Sequence, residues 1–395
     1  MLLNNGFIVN IQQLIEFDSS WLQLIPLKWN AKERKLTANC KPLSTIFRLF
    51  TLSFMCLSAL LLLKSCFDQP KTKNSLPQKS LTVLTIAIML AVASMCWKLH
   101  SDHDLIAAVL NNLMDLENDM AKLGKMAKYD SKVKAVQLLS RLLVLTVKYT
   151  PILFALSIGL YPNLPTNVLL AFGIGNGLTL NGIFLLEQIL LRLAIFVANL
   201  LVWNSLCTVS VFVVNEMVVT ITCARYYQLN PLNCGLSKLR YGVRSQTGAW
   251  IRVSKLQKRL YLLVQAFNEA HAKSIMVQLL LLLSVGQIVC IYTAIRSESM
   301  PLALFIPQIV EIVDTHMIIF GVFGCAGHLF DTSEMVIAYL NGQSGLQNDK
   351  IIRKLVGALR PLRIEFATAN FIDSATPLVF MAFNANRVID LLLLK

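Results

Sequence analysis

Apolar runs long enough to cross a bilayer recur along the chain and set its architecture. A hydrocarbon core of ~30 Å needs about 20 helical residues, and segments 45–63, 81–99, 136–160, 274–295, 302–327 and 371–394 each supply such a run. A further stretch, 167–223, is long enough for two crossings but carries Glu187 and Arg192 near its middle. Between these runs the pattern changes to a helical period. In 104–126, Leu105, Val109, Leu113, Leu116, Met120 and Leu123 fall three or four apart, with Asp115, Glu117 and Asp119 ahead of Lys122, Lys125 and Lys128, an order that suits the helix dipole. Segment 253–272 repeats the design with Leu256, Leu260, Leu263, Val264 and Phe267. Segment 351–369 does so again with Leu355, Leu359, Leu362 and Ile364 beside Arg353, Lys354, Arg360 and Arg363, and Pro361 interrupts it. These three amphipathic helices either solvate one face of the protein or bury their stripes between subunits.

Composition removes the soluble alternatives. Of 395 residues, 55% are hydrophobic and 15% charged, against about a quarter charged in a soluble domain, and the mean hydropathy is +0.61. Charge then decides how often 167–223 crosses. Lys and Arg gather on the cytoplasmic side, and a single crossing places 24 of them in 1–44, 100–135, 224–273 and 328–370, against four in 65–80, 161–186 and 296–301. Two crossings would move the nine basic residues of 224–273 outside. The expected fold is therefore all-α, a seven-transmembrane helical protein with its N terminus inside and its C terminus outside. A cytoplasmic segment, 1–44, precedes the seven-helix domain, 45–395, whose cytoplasmic helices occupy 100–135, 253–273 and 351–370. The net charge of +14 reads as this inner excess, facing anionic membrane lipid, and needs no nucleic acid to explain it. No Lys or Arg precedes Lys28 and no cleavage pattern follows the first residues, so no secretory signal is expected. Cys66 alone falls in an outer loop, so no extracellular disulfide is expected either.

Two stretches carry a resemblance. LVQAFNEAHAKSIMVQLLLLLSVGQIVCIYTAI, from residue 263, is similar to the Phe-Asn element that enters the fifth span of the arthropod gustatory and odorant receptor superfamily. LRPLRIEFATANFIDSATPLVFMAFNANRVIDLLLL, from residue 359, resembles that superfamily's final cytoplasmic segment and last span. Members often end with Thr-Tyr, five apolar residues and Gln-Phe, whereas Asn386 to Leu394 here has none of Thr, Tyr or Gln. The resemblance implies a chemosensory receptor of the plasma membrane, gustatory in type. It would act as a ligand-gated, non-selective cation channel, a homo- or heterotetramer whose seventh spans line one pore. Its partners would be a small-molecule tastant or odorant, bound among the outer halves of the second to sixth spans, and the permeating cations.

Ionisable groups at bilayer depth are costly and face a partner or water. In the last span Asn384, Arg387 and Asp390 lie three apart on one helix face, and with Val388 and Leu391 they are the candidate pore residues. A plain ion pair with Arg387 snorkelling to the interface is the other reading. The sixth span carries Glu311, Asp314 and His316, but His316 points away from the carboxylates, so a metal site on this helix is geometrically poor. Hydrogen bonds to Gln278 and Gln287 are expected instead. Tyr149, Tyr161, Tyr292, Phe305, Gln308 and Glu311 mix aromatic and polar groups toward the outer half and form the candidate ligand pocket. His100, His103, His271 and His328 fall at inner span ends and read as solvated. The run GIGNGL, 173–178, follows no strand and reads as an outer segment over the pocket. Nucleophile elbow, P-loop, His-Glu-x-x-His and Cys-x-x-Cys are all missing, so neither an enzyme nor a cofactor is expected. A G-protein-coupled receptor would need its N terminus outside. A secondary transporter using Glu311 and Asp314 is the alternative function.

Overall fold

The computed structural model describes residues 7–21, 24–39, 42–68, 75–122, 131–160, 186–239, 246–272, 274–296, 302–342, 350–367 and 370–393. Helix α1 (Ile8–Trp21) leads into an antiparallel hairpin of β1 (Leu27–Asn30) and β2 (Lys35–Ala38), paired in register Leu27 to Ala38. Then come α2 (Pro42–Asp68), α3 (Ser75–Ser101), α4 (His103–Lys122), α5 (Ser131–Leu160), α6 (Leu186–Leu239), α7 (Gln246–His271) and α8 (Ile275–Arg296). Helix α9 (Leu302–Ile318) runs through a π-helical turn, Ile319–Phe323, into α10 (Gly324–Gly342). A short α11 (Lys350–Gly357), a two-residue hairpin of β3 (Glu365–Phe366) and β4 (Asn370–Phe371), and α12 (Thr376–Leu393) complete the chain.

Six helices among the described residues are long and apolar enough to cross a membrane: Lys79–Ser101, Lys134–Leu160, Ile189–Leu229, Ile275–Arg296, Gln308–Gly342 and Thr376–Leu393. The first predicted span falls on α2, whose Ile46, Phe50, Leu57 and Leu60 are exposed apolar side chains on a 27-residue helix. The stretch that could have crossed twice holds one continuous helix from Leu186 to Leu239. At 1.5 Å per residue α6 is roughly 80 Å long, far more than a bilayer core, so it runs on beyond the membrane at one end. Arg192 is accounted for at the other: its guanidinium donates to the carbonyls of Gly159 (3.0 Å) and Leu160 (2.9 Å), the unpaired C-terminal acceptors of α5.

The amphipathic stripes are buried within one chain. Val109, Leu113 and Leu116 of α4 and Leu260, Val264 and Phe267 of α7 all belong to the same core. Polar contacts join the surfaces above them, with Arg259 of α7 3.1 Å from Asp119 of α4. The N-terminal hairpin docks on α4 through one side chain. Asn111 accepts from the Leu36 N–H (2.8 Å) and donates to the Leu36 carbonyl (2.9 Å), as a neighbouring strand would.

Two expectations need correction. The third amphipathic helix does not span 351–370; α11 ends at Gly357 and the chain continues through a turn without regular structure to β3. Pro361 lacks the N–H a helix needs and disfavours helical geometry at Arg360, so the helix stops before it. The last span starts later than 371, because Phe371 belongs to β4 and α12 begins at Thr376. Asp373 is the cause: its carboxylate accepts from the N–H of Thr376 (2.8 Å) and of Ala375 (3.2 Å), and the Asp373 N–H donates to Thr376 Oγ1 (3.0 Å), a reciprocal N-terminal cap.

Candidate functional site

Helices α8, α9 and α12 meet along a seam of polar side chains inside an otherwise apolar bundle. On α9, Gln308, Glu311 and Thr315 recur at helical spacing. The Thr293 hydroxyl of α8 lies 3.3 Å from Gln308 Oε1. One turn further along α9, Glu311 faces Gly286 of α8, where a Cβ would lie 3.4 Å from its Oε1. Beyond it the contacts form a directional chain. His316 Nδ1 donates to the Ile312 carbonyl (2.7 Å), which leaves Nε2 as the acceptor for Gln287 Nε2 (3.2 Å). Gln287 Oε1 accepts from Asn384 Nδ2 (2.5 Å), and Asn384 Oδ1 accepts from the Ser284 hydroxyl (3.0 Å). Gln287 Nε2 also lies 3.5 Å from Met381 Sδ. Four side chains on three helices therefore share one hydrogen-bonded path.

The seam is incompletely satisfied. Gln308 Nε2 and Thr315 Oγ1 are buried with no hydrogen-bond partner among the described residues. The same is true of Trp203 Nε1, on an indole that stacks on Phe154 with centroids 4.4 Å apart. Buried polar atoms of this kind are costly unless a ligand or water meets them.

Of the candidate pocket residues, Gln308 and Glu311 lie on the seam and Tyr292 is buried beside it on α8. Phe305 is half exposed and Tyr149 is 62% exposed on α5, so these two do not converge with the others. Tyr161 and the GIGNGL run, 173–178, lie outside the described residues. The candidate pore residues divide as well. Asn384 and Val388 are buried against the protein's own helices, Leu391 is half-buried, and Arg387 and Asp390 form a 3.0 Å ion pair at 57% and 60% exposure. The expected shared face is thus split by the pull of Gln287 and Ser284 on Asn384. Gln287 meets His316 as expected, whereas Gln278 donates instead to Ser94 Oγ of α3 (2.6 Å). No three His, Cys, Asp or Glu side chains converge among the described residues.

His271 is not solvated, which corrects the reading from its place at a span end. It is 1% exposed and its Nε2 lies 2.9 Å from Glu216 Oε1 on α6, a residue that is fully buried. The neighbouring Asn268 holds the linker into α12. Its Nδ2 donates to the Arg363 carbonyl (2.9 Å), and its Oδ1 accepts from the Glu365 N–H (3.1 Å). Ser333 of α10 accepts from the Leu362 N–H (2.8 Å). A Cβ on Gly327 would come within 2.5 Å of the Asp373 and Ser374 backbone, so α10 touches the cap of α12 directly. The base of α12 is thereby fixed while most of its length stays uncovered.

No family model matches the chain, and no curated protein matches it. Solved structures do. The structure of the insect olfactory receptor OR5 from Machilis hrabei in complex with eugenol aligns with a TM-score of 0.68 at 10% identity, over 98% of this chain and 99% of that one. The chain has the insect olfactory receptor fold. A second structure of the same receptor gives a TM-score of 0.66 with the same identity and coverage. Within that fold, the two stretches singled out in sequence form the α7–α8 junction and the linker with α12. Asn268 joins them.

Proposed function

We propose that the protein is a chemosensory receptor of the arthropod superfamily, a subunit of a ligand-gated, non-selective cation channel opened by a small-molecule tastant or odorant. It sits in the plasma membrane with its N terminus inside, and four copies bring their α12 helices to one axis. The observation that carries this reading is the hydrogen-bonded path from His316 through Gln287 to Asn384. It ties α9, where unpartnered polar groups await a ligand, to the helix assigned to the pore. A ligand that recruits Gln308 or Thr315 acts on the same helix as His316, and a shift of α9 is felt by α12 through Gln287. The fold likeness over nearly the whole chain supports the same assignment. A mixed ligand fits the seam best, an aromatic body with one hydroxyl or ether, of which eugenol in the similar receptor is one example.

The test is electrical. Cells expressing the full chain, alone and with a second subunit of the same superfamily, are challenged with a panel of small phenols, eugenol among them, and sugars. Ligand-evoked, weakly selective cation currents are expected. Q287L should abolish them even when currents are normalised to the amount of protein at the surface. Ligand-driven proton flux without unitary currents would instead favour a transporter using Glu311 and Asp314.

A further inference from the structure

The seam leaves a second feature unexplained elsewhere in the bundle. Between α1 and α5 lies a groove of about 350 Å³, lined by Val9, Asn10, Gln13, Arg141, Val144 and Lys148. Arg141 and Lys148 sit seven residues apart on one stripe of α5, about 10 and 21 Å along the span that starts at Lys134. Both are exposed, and neither has an ion-pair partner among the described residues. Unpaired cations inside a membrane span are costly, and two directed into one groove call for an anion from outside the chain. Water alone is a poor answer, since Val9, Val144 and the exposed Leu138, Leu142 and Leu145 surround the charges with apolar surface.

We infer that this groove is a binding site for the phosphate headgroup of an anionic phospholipid of the bilayer. Arg141 and Lys148 hold the phosphate oxygens. Gln13, exposed on α1, offers an amide donor and acceptor to the glycerol oxygens. The volume admits a headgroup but not acyl chains, which would lie outside it on the exposed apolar surface of the span. Helix α12 packs chiefly on α8, the π-helical turn and α10, so the groove remains on the lipid side when α12 faces an axis of symmetry. The position of α1 is built for this role: Asn10 donates to Ser140 (2.7 Å), and Ser140 in turn donates to Asn215 of α6, which fixes the first turns of α1 against α5 beside Arg141.

The test uses the purified full chain in nanodiscs of equal parts phosphatidylserine and phosphatidylcholine, released for native mass spectrometry. The unaltered protein should retain phosphatidylserine over phosphatidylcholine by about tenfold, a preference expected of two cations at the headgroup. R141Q/K148Q should bring the ratio to about that of the bulk lipid. R141K/K148R should keep the preference, and K32Q, outside the groove, should leave it unchanged. Equal retention of both lipids by the unaltered protein overturns the assignment and needs no variant. So does an undiminished preference in R141Q/K148Q. Displacement of the retained lipid by millimolar inorganic phosphate would assign the groove to a free anion instead, which also overturns the lipid source.

Discussion

Gln287 stands where α8, α9 and α12 exchange hydrogen bonds, and its amide uses both ends. Replacing it by Leu strands the Asn384 amide and His316 Nε2 in an apolar interior. An unsatisfied buried group costs about 1–3 kcal/mol, so Q287L should lower thermal stability by a few kcal/mol in detergent. Asn384→Leu in the Q287L background should restore part of it, because two apolar partners then face each other. An additive double variant would show that the two side chains do not interact. At the cap of α12 the sign is set by pH. The Thr376 hydroxyl and N–H hold the Asp373 carboxyl below its ordinary value, so the folded state favours the ionised form. That stability is present above the unfolded carboxylate range and is lost as pH falls through the folded value. D373A should cost about 1 kcal/mol at neutral pH and flatten the decline below pH ~4. Asp18 runs the other way. Burial pushes it up to about 6 although the N–H groups of Leu24 and Ile25 and the charge of Arg48 oppose the shift. Its contribution is therefore greatest below the unfolded value and declines as pH rises through about 6, so D18A should remove that fall. Thermal unfolding from about pH 2 to 7 checks both signs, with Asp18 and Asp373 as opposite controls. A residue-by-residue reading of sequence could not see these partners. His271 read as solvated because it ends an apolar run, and the carboxylate that buries it, Glu216, is 55 positions away on another helix.

The long helices were legible because a bilayer demands a length, and length is written in consecutive residues. The one continuous helix through Leu186–Leu239 agrees with the single crossing expected from the basic residues beyond it, while 167–185 lie outside the described residues. What escaped was short or set by contacts. Hairpins such as β3–β4 are two residues long and owe their position to Asn268 and to the Ala367 N–H bonding the Ala272 carbonyl (2.9 Å). Ala367 adopts a φ of 55°, left-handed geometry that no local pattern announced. The π-helical turn between α9 and α10 likewise follows from packing. At Gly321 a Cβ would lie 2.7 Å from Leu139 Cδ2, so α5 approaches the turn where a side chain is missing. The two glycines should respond differently to alanine. Leu139 can move its methyl, and G321A should be tolerated. At Gly327 the obstacle is the Asp373 and Ser374 backbone, so G327A must displace the cap of α12. Amide hydrogen exchange should rise at 373–378 in G327A and remain unchanged there in G321A. Equal protection in both variants would mean that the α10 contact does not hold the base of α12.

At the scale of the molecule, α12 is the helix the chain leaves least covered. Only 17% of its span is buried, and Leu378, Val379, Phe383, Ile389 and Leu393 face outward with Arg387 and Asp390. Lipid could cover the apolar residues, but an exposed ion pair at that depth is better met by water. The proposed fourfold arrangement would supply both, with copies of α12 sealing one another's apolar surface around an aqueous axis. In the proposed channel, permeation would depend on the pair. Arg387 Nη1 donates to Asp390 Oδ2 (3.0 Å), and its guanidinium also lies 5.2 Å from the Phe383 ring, which holds the cation against the helix wall. Its charge is thus cancelled locally, and in the proposed tetramer a cation on the axis would meet a neutral pair rather than a ring of arginines. R387A frees the carboxylate in each copy. Four unpaired carboxylates around a narrow axis should bind a divalent cation, so calcium should block R387A at concentrations about tenfold or more below those needed for the unaltered channel. D390N does the reverse: it leaves four unpaired guanidinium groups and should cut cation conductance or invert selectivity. Reversal potentials and calcium block in reconstituted bilayers read both variants. If unitary conductance, selectivity and block stay the same in each, Arg387 and Asp390 do not face the ions, and α12 lines no pore on that side.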